Sequence, residues 1–262
     1  MGNAIRNGWI AVIIASCLCA ETGIGQDKKK DAKKPPAIKM TLPLALQPGS
    51  TITATLRGHG LAEASEVRFP GGQATVVKFA SKGQAGVPDK NPERVGDTQV
   101  VVELKVKDKL PTEPIPVVVV TPNGNTEPFL MLIADLALPI VKEKEPNEGF
   151  RNPQTIPVPC VVEGTIERQR DVDVFRFEGK KGQKIVAEVV SARQGSGLDA
   201  QLTLFDKSGN QLAFSDDAVG QDPWIELMLP EDGEYLLSLI DAHDTGSNLH
   251  AYRLIVTNAK KD

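Results

Sequence analysis

Hydrophobic and polar positions alternate in short runs through most of this chain, and no segment holds helical spacing for the three or four turns of a core helix. Thr51-Ile-Thr-Ala-Thr-Leu56, Glu66-Val-Arg-Phe69 and Ala74-Thr-Val-Val-Lys-Phe79 read as strands, as do Thr98–Lys107, Ile115–Thr121 and Glu127–Ile133. Gly58, Gly60, Pro70-Gly71-Gly72 and Pro122-Asn123-Gly124-Asn125 supply the turns between them. Ala80 to Gly96 is longer and more polar, and reads as an exposed loop. A second series follows: Val158–Ile166, Asp173–Phe177, Lys184–Val190, Ala200–Phe205, Gln211–Phe214, Trp224–Leu229, Glu234–Leu239 and Ala251–Val256. The pattern therefore predicts an all-β chain, an immunoglobulin-like sandwich over residues 39–135 followed by a jelly-roll-like β-sandwich over 143–258, with 136–142 as linker.

The beginning of the chain breaks this pattern. Arg6 precedes the apolar run Trp9 to Ala20, which is too short for a stable bilayer span and fits a signal peptide over residues 1–20. Cleavage after Ala20 is one reading. The other is Ile14-Ala15-Ser16-Cys17, which resembles a lipoprotein box and would make Cys17 a lipidated terminus. Residues 21–38 carry a Lys/Pro-rich stretch with no apolar face and read as a disordered linker. Export is the expectation: secreted, periplasmic or at the cell surface. Cys17 and Cys19 lie in the leader, so Cys160 has no disulfide partner in a mature chain, and its apolar setting reads as a buried hydrophobe.

With 262 residues and a formal charge of −4, the composition argues against a general nucleic-acid binder, and 5% aromatics against a stacking platform. The polar chemistry concentrates in one place. Glu143, Glu145, Asn147 and Glu148 put oxygen-bearing side chains close together before the second sandwich, and Asp171-Val-Asp173 leads into a strand. Such a set could grip a hard cation, for which calcium takes about six to eight oxygens. Without a cation, clustered carboxylates would raise one another's pKa values. Solvated linker charges are the competing account. Asp206, Asp216 and Asp217 read first as turn residues and second as another cation site. Asp241-Ala-His243-Asp244 reads as a solvated loop. No nucleophile–base pattern and no zinc motif is present. Trp224 and Tyr235 read as core or rim packing, and are the aromatic anchors to test in an adhesive protein.

Two family resemblances add to this. Leu46-Gln-Pro-Gly49, Leu56-Arg-Gly58-His-Gly60-Leu61 and Val117-Val-Val-Val-Thr121-Pro-Asn-Gly124 resemble a TIG or IPT domain, an immunoglobulin-like module of surface and extracellular proteins. The later half resembles the bacterial pre-peptidase C-terminal (PPC) domain. The residues that carry this are Glu145-Pro-Asn147, Gly164-Thr-Ile, Asp171-Val-Asp173-Val-Phe175-Arg-Phe177, Gly179-Lys-Lys-Gly182, Leu202-Thr-Leu-Phe205-Asp-Lys-Ser-Gly209, Asp216-Asp217 and Pro230-Glu-Asp-Gly233-Glu-Tyr235. That resemblance implies a non-catalytic sandwich appended to secreted peptidases, and related collagenase domains bind collagen and use calcium. The family's calcium segment maps onto Glu143, Glu145, Asn147, Glu148, Asp171 and Asp173, with Glu148 standing where many relatives carry Asp.

The expected function is thus a non-catalytic exported two-module protein, calcium-stabilised, acting in extracellular or cell-surface binding of a matrix protein or polysaccharide. A structural subunit of an envelope assembly and an accessory subunit of a secreted peptidase are the alternatives.

Overall fold

The structure is a computed structural model, described here for residues 34–88 and 90–258. The leader, Cys17 and most of the Lys/Pro stretch lie outside the described residues. The fold is almost entirely β. The first sandwich uses β1 (Ala37–Leu42), β2 (Ala45–Leu46), β3 (Thr51–His59), β4 (Glu66–Arg68), β5 (Ala74–Gln84), β6 (Thr98–Val106), β7 (Ile115–Thr121), β8 (Gly124–Asn125) and β9 (Phe129–Ile133). Its sheets run β1-β3-β6-β5 and β2-β9-β7-β4, with β8 a hairpin partner of β7. The second uses β10 (Ile140–Lys142), β11 (Gln154–Thr155), β12 (Cys160–Thr165), β13 (Val172–Gly179), β14 (Lys184–Val190), β15 (Ala200–Asp206), β16 (Gln211–Ser215), β17 (Trp224–Met228), β18 (Gly233–Asp241) and β19 (Ala251–Asn258). These form two five-stranded sheets, β10-β12-β19-β14-β17 and β11-β13-β18-β15-β16.

Period-two patterning explains both cores. Ile115, Val117 and Val119 are buried from β7, while Val100, Val102 and Leu104 are buried from β6, and these side chains meet Leu56, Leu61 and Met131. In the second core Phe175 and Phe177 from β13 meet Leu202 and Leu204 from β15, Leu237 and Leu239 from β18, and Tyr252 and Leu254 from β19. Fully burying each such side chain is worth roughly 1.5–3 kcal/mol. Cys160 sits among them, fully buried, and burial pushes its thiol up to about 11. It is packing, not a nucleophile.

Three segments differ from the sequence expectation. Strand β1 begins at Ala37, inside the stretch read as disordered linker, and β10 occupies the end of the stretch read as a linker between the halves. The expected loop Ala80–Gly96 is only partly loop: β5 continues to Gln84, and a short helix, Pro92–Val95, follows. Arg57, buried on β3, holds this segment through Nη2 to the carbonyls of Gly86 (2.8 Å) and Gly96 (2.9 Å) and through Nε to that of Val95 (3.3 Å). Val95 then packs with Met40 and Leu44 of the first sandwich and with Leu249 and Ala251 of the second. The polar run folds because one buried guanidinium satisfies its carbonyls.

Candidate functional site

The site forms where the chain twice crosses between the two sheets of the second sandwich. From β10 the chain passes over to β11 in the opposite sheet, and from β12 it passes over to β13 in the same direction. Parallel pairing of β10 with β12 (Lys142 opposite Glu163) and of β11 with β13 (Gln154 opposite Phe175) lays one crossing against the other. The first crossing carries Glu143, Glu145, Asn147 and Glu148. The second ends at Asp171, with Asp173 near the start of β13. Backbone bonds clamp the crossings together: Glu143 N–H donates to Glu163 O (3.0 Å) and Val174 N–H to Asn147 O (3.2 Å).

All six sequence-derived candidates come together here. Ligand atoms of Glu143, Glu145 and Asp173 lie within 4.8 Å of one another, and so do those of Glu145, Glu148 and Asp171. Glu145 is shared, so the arrangement has an inner and an outer triad. Asn147, Asp171 and Asp173 are at most 2% exposed. Each has one polar atom accounted for on the protein side. Asp173 Oδ2 accepts from Tyr252 Oη (2.6 Å), Asp171 Oδ2 from Glu167 N–H (2.7 Å), and the Asn147 amide donates through Nδ2 to Glu143 Oε1 (3.4 Å). The remaining oxygens, Asn147 Oδ1, Asp171 Oδ1 and Asp173 Oδ1, are buried and accept no hydrogen bond. Leaving a buried acceptor unmade costs about 1–3 kcal/mol, more when it is charged.

Electrostatics follow from the burial. Burial raises the Glu143 carboxyl, against the Thr165 N–H that donates to its Oε2 at 2.7 Å, with Glu145 and Asp171 adding repulsion. Burial also raises Glu145, and Asp171 and Glu148 push it further. Asp173 is driven well above the usual carboxylate range, by burial first and the Glu143 charge second; the Tyr252 hydroxyl offsets part of this. The Tyr252 phenol is itself raised by burial and by Asp173. Asp173, pushed up to about 9, holds a proton that a carboxyl in water would have lost. Carboxylate and amide oxygens without nitrogen or sulfur are the donor set of a hard cation, and the orphaned buried oxygens fit that role.

Residues not singled out as part of the site complete its walls. Tyr252 reaches Asp173 from β19, and Gly164 makes room for it: an added Cβ would stand 2.3 Å from Tyr252 Oη and 2.5 Å from Glu143 Oε2. A glycine inside an apolar strand pattern is the sequence signal for such close approach. Arg168 contacts Glu148 Oε1 and lies 3.4 Å from Asp171 Oδ1 and 3.9 Å from Glu145 Oε1. Beside the site, a cleft of about 320 Å³ opens between Leu42–Leu44 and the row Lys142, Glu163, Arg253.

The other candidates separate clearly. Tyr235 is 1% exposed, stacked on Phe177 at 5.7 Å, and its hydroxyl donates to Glu231 O, so it is a core residue and not a surface anchor. Trp224 is 38% exposed on edge strand β17. Asp206 accepts from the N–H groups of Ser208 and Asn210 and from the Asn210 amide, a turn closing on itself. Asp216 accepts from Asp217 N–H. His243 stands 3.3 Å from Asp199 in an exposed loop.

Fold and site together define an all-β chain of two sandwiches, the second closed at one end by an acidic pocket with free buried oxygens. Residues 171–240 match the family profile of the bacterial pre-peptidase C-terminal domain. The matched segment includes Asp171 and Asp173 and leaves out the Glu143–Glu148 crossing. Over 73 residues the chain is 48% identical to a probable subtilase-type serine protease of Deinococcus radiodurans, which covers 28% of this chain and 10% of the protease. The chain thus spans about a tenth of that relative. Among solved structures, the pre-peptidase C-terminal domain of Bacillus anthracis collagenase matches 44% of this chain and 100% of its own, at 19% identity and a TM-score of 0.35. A periplasmic inhibitor of g-type lysozyme from Aeromonas hydrophila matches 46% of this chain and 97% of its own, at 15% identity and a TM-score of 0.33.

Proposed function

We propose that this chain is an exported, non-catalytic binding protein whose second sandwich is locked by a calcium ion held among Glu143, Glu145, Asn147, Glu148, Asp171 and Asp173. The observation that carries the reading is that Asn147, Asp171 and Asp173 each keep a buried oxygen that accepts no hydrogen bond, in or beside two carboxylate triads that share Glu145. A divalent cation would neutralise them and tie the Glu143–Glu148 crossing to the sandwich, so its affinity would appear as folding stability. The apolar leader supports export, with Cys17 a candidate anchor. The TIG-like first sandwich would act as spacer or co-binder, and the ligand class is a matrix protein or polysaccharide. The cleft beside Arg253 is where we would look for it.

Catalysis is not part of this reading. Ser247 Oγ lies 2.8 Å from His250 Nδ1, but His250 Nε2 faces the Thr245 hydroxyl, which donates to Asp241. His250 is 1% exposed, and Ser247 Oγ also accepts from Leu249 N–H. A network buried this way braces a loop. The segment shared with a serine protease favours a second reading, an accessory subunit of a secreted peptidase.

Calcium titration by calorimetry, with thermal melting in calcium and in chelator, tests the proposal. One stoichiometric site that raises the melting temperature, and is lost in Glu145→Ala, is the expected result. No heat and unchanged melting would sink the calcium reading.

A further inference from the structure

The two triads are not balanced alike. Among the described residues no basic side chain pairs with Glu143 or Asp173 of the inner triad, whereas Arg168 reaches all three carboxylates of the outer one. Its guanidinium touches Glu148 Oε1 and stands 3.4 Å from Asp171 Oδ1, the oxygen that accepts no hydrogen bond. The Asp171 charge first, and the Glu148 contact second, raise the Arg168 pKa further, so the positive charge is permanent. Arg168 also stands on a prepared turn. Asp171 Oδ2 accepts from Glu167 N–H, Asp171 N–H donates to Arg168 O (3.2 Å), and Arg170 N–H donates to Asp244 O (3.2 Å). On the other side Gly246 lies so close that an added Cβ would come within 2.1 Å of Arg168 O. The backbone is held from both sides, so placing the charge costs side-chain entropy and little else. A planar, weakly hydrated guanidinium with five donors suits several carboxylate oxygens at once.

We propose that Arg168 is a tethered cation that fills the outer triad in place of a metal ion, leaving the inner triad as the place where a divalent cation enters. The second half of this statement rests on the calcium reading above; the first does not. A metal at the outer triad would have to displace the guanidinium from carboxylates it already neutralises, while one at the inner triad meets Glu143 and Asp173, which no basic side chain pairs with among the described residues, and shares only Glu145 with Arg168 at 3.9 Å. Arg168 would therefore set the stoichiometry of the site at one.

Two measurements on the full chain test this separately. In chelator at low ionic strength, Arg168→Gln should melt a few degrees below the wild type, Arg168→Lys should recover much of the difference, and 1 M NaCl should shrink it, since the Debye length falls to about 3 Å. Equal melting of Arg168→Gln and wild type at low salt would overturn the tether. In a calcium titration with a direct metal count, the wild type should take one ion and Arg168→Gln two. One ion in both would overturn the replacement of a metal by Arg168. Absence of calcium from both proteins would remove the inner-site reading, and the melting comparison in chelator would then decide the role of Arg168 by itself.

Discussion

Both sandwiches bury ionisable groups, and they do so in opposite ways. In the first, Arg57 is 4% exposed and surrounded by acceptors: the carbonyls of Gly86, Val95 and Gly96. In the second, Asp173 is fully buried beside Glu143, with one oxygen on Tyr252 and the other accepting nothing. A buried charge with every partner inside the protein is a brace, because the desolvation cost is met within the fold. A buried carboxyl with partners missing, which keeps its proton because of its burial and its acidic neighbours, is half of an interaction whose other half comes from outside. Burial alone does not distinguish the two; the hydrogen-bond inventory does.

The sharpest way to break this contrast is to remove each charge in turn and ask whether calcium matters. Arg57→Ala would leave the buried carbonyls of Val95 and Gly96, and the part-buried one of Gly86, without this donor and should cost roughly 3–5 kcal/mol. Urea unfolding should give the same loss in calcium and in chelator. A loss that appears only in chelator would mean that the two sandwiches share one cation-dependent equilibrium and that Arg57 is no independent brace. Asp173→Asn should behave in the reverse sense. In chelator it should be at least as stable as the wild type, because an amide of the same shape stays neutral at every pH, whereas the buried carboxyl must hold its proton to avoid repulsion. In calcium at about a hundred times Kd, it should forgo the roughly 2.7 kcal/mol that such binding confers. A variant that loses the same stability in both conditions would make Asp173 a structural residue.

Gly164→Ala refines the comparison at smaller scale. The added methyl would press on Tyr252 Oη and Glu143 Oε2 together, and overpacking of this kind costs about 1–3 kcal/mol. Because both displaced atoms border the inner triad, calcium affinity should fall along with stability. An unchanged calcium isotherm with lowered stability would show that Gly164 serves packing alone.

How much of this could be read from the chain depended on whether the interaction was local. Ile115–Thr121 and Lys184–Val190 were legible because alternate burial is written into successive residues. The candidate oxygen ligands were legible because four of the six residues fall within one short stretch and the other two within Asp171-Val-Asp173. Strands β10 and β11 were not. They are two or three residues long and exist because their parallel partners β12 and β13 lie beside them, which no local pattern announces. Tyr252 entered only through the family-like run Tyr252-Arg-Leu near the end of the second sandwich, with no role at the site, since its partner Asp173 is 79 positions away. The segment after Phe79 looked like a loop because its organiser, Arg57, comes from a strand far earlier in the chain. Gly164 was the one distant contact with a local trace, a glycine placed where the apolar alternation called for a side chain.

The smallest expected effect is also the one that bears most directly on the missing half-interaction. Glu143, Glu145 and Asp173 all have carboxyl groups raised in the fold, by burial first and neighbouring charge second. An acid whose folded pKa exceeds its unfolded value binds more protons when folded. The stability it contributes is complete below the unfolded value near pH 4 and is lost as the pH rises through the folded one. Metal-free protein should therefore melt lower at pH 8 than at pH 5 on account of these groups. Glu66 and Glu93, lowered by hydrogen bonds from Arg68 and Lys34, act in the opposite sense on the surface, with stability present above the unfolded value and lost only on acidification. The difference between wild type and Asp173→Asn isolates the buried pocket from them. In chelator that difference should grow in favour of the variant as the pH rises. In calcium it should change sign, because the cation then takes the place of the proton, which is released to solvent, and the ionised carboxylates are neutralised by the metal. A difference independent of both pH and calcium would mean that the pocket holds no unmet charge, and the contrast with Arg57 would disappear.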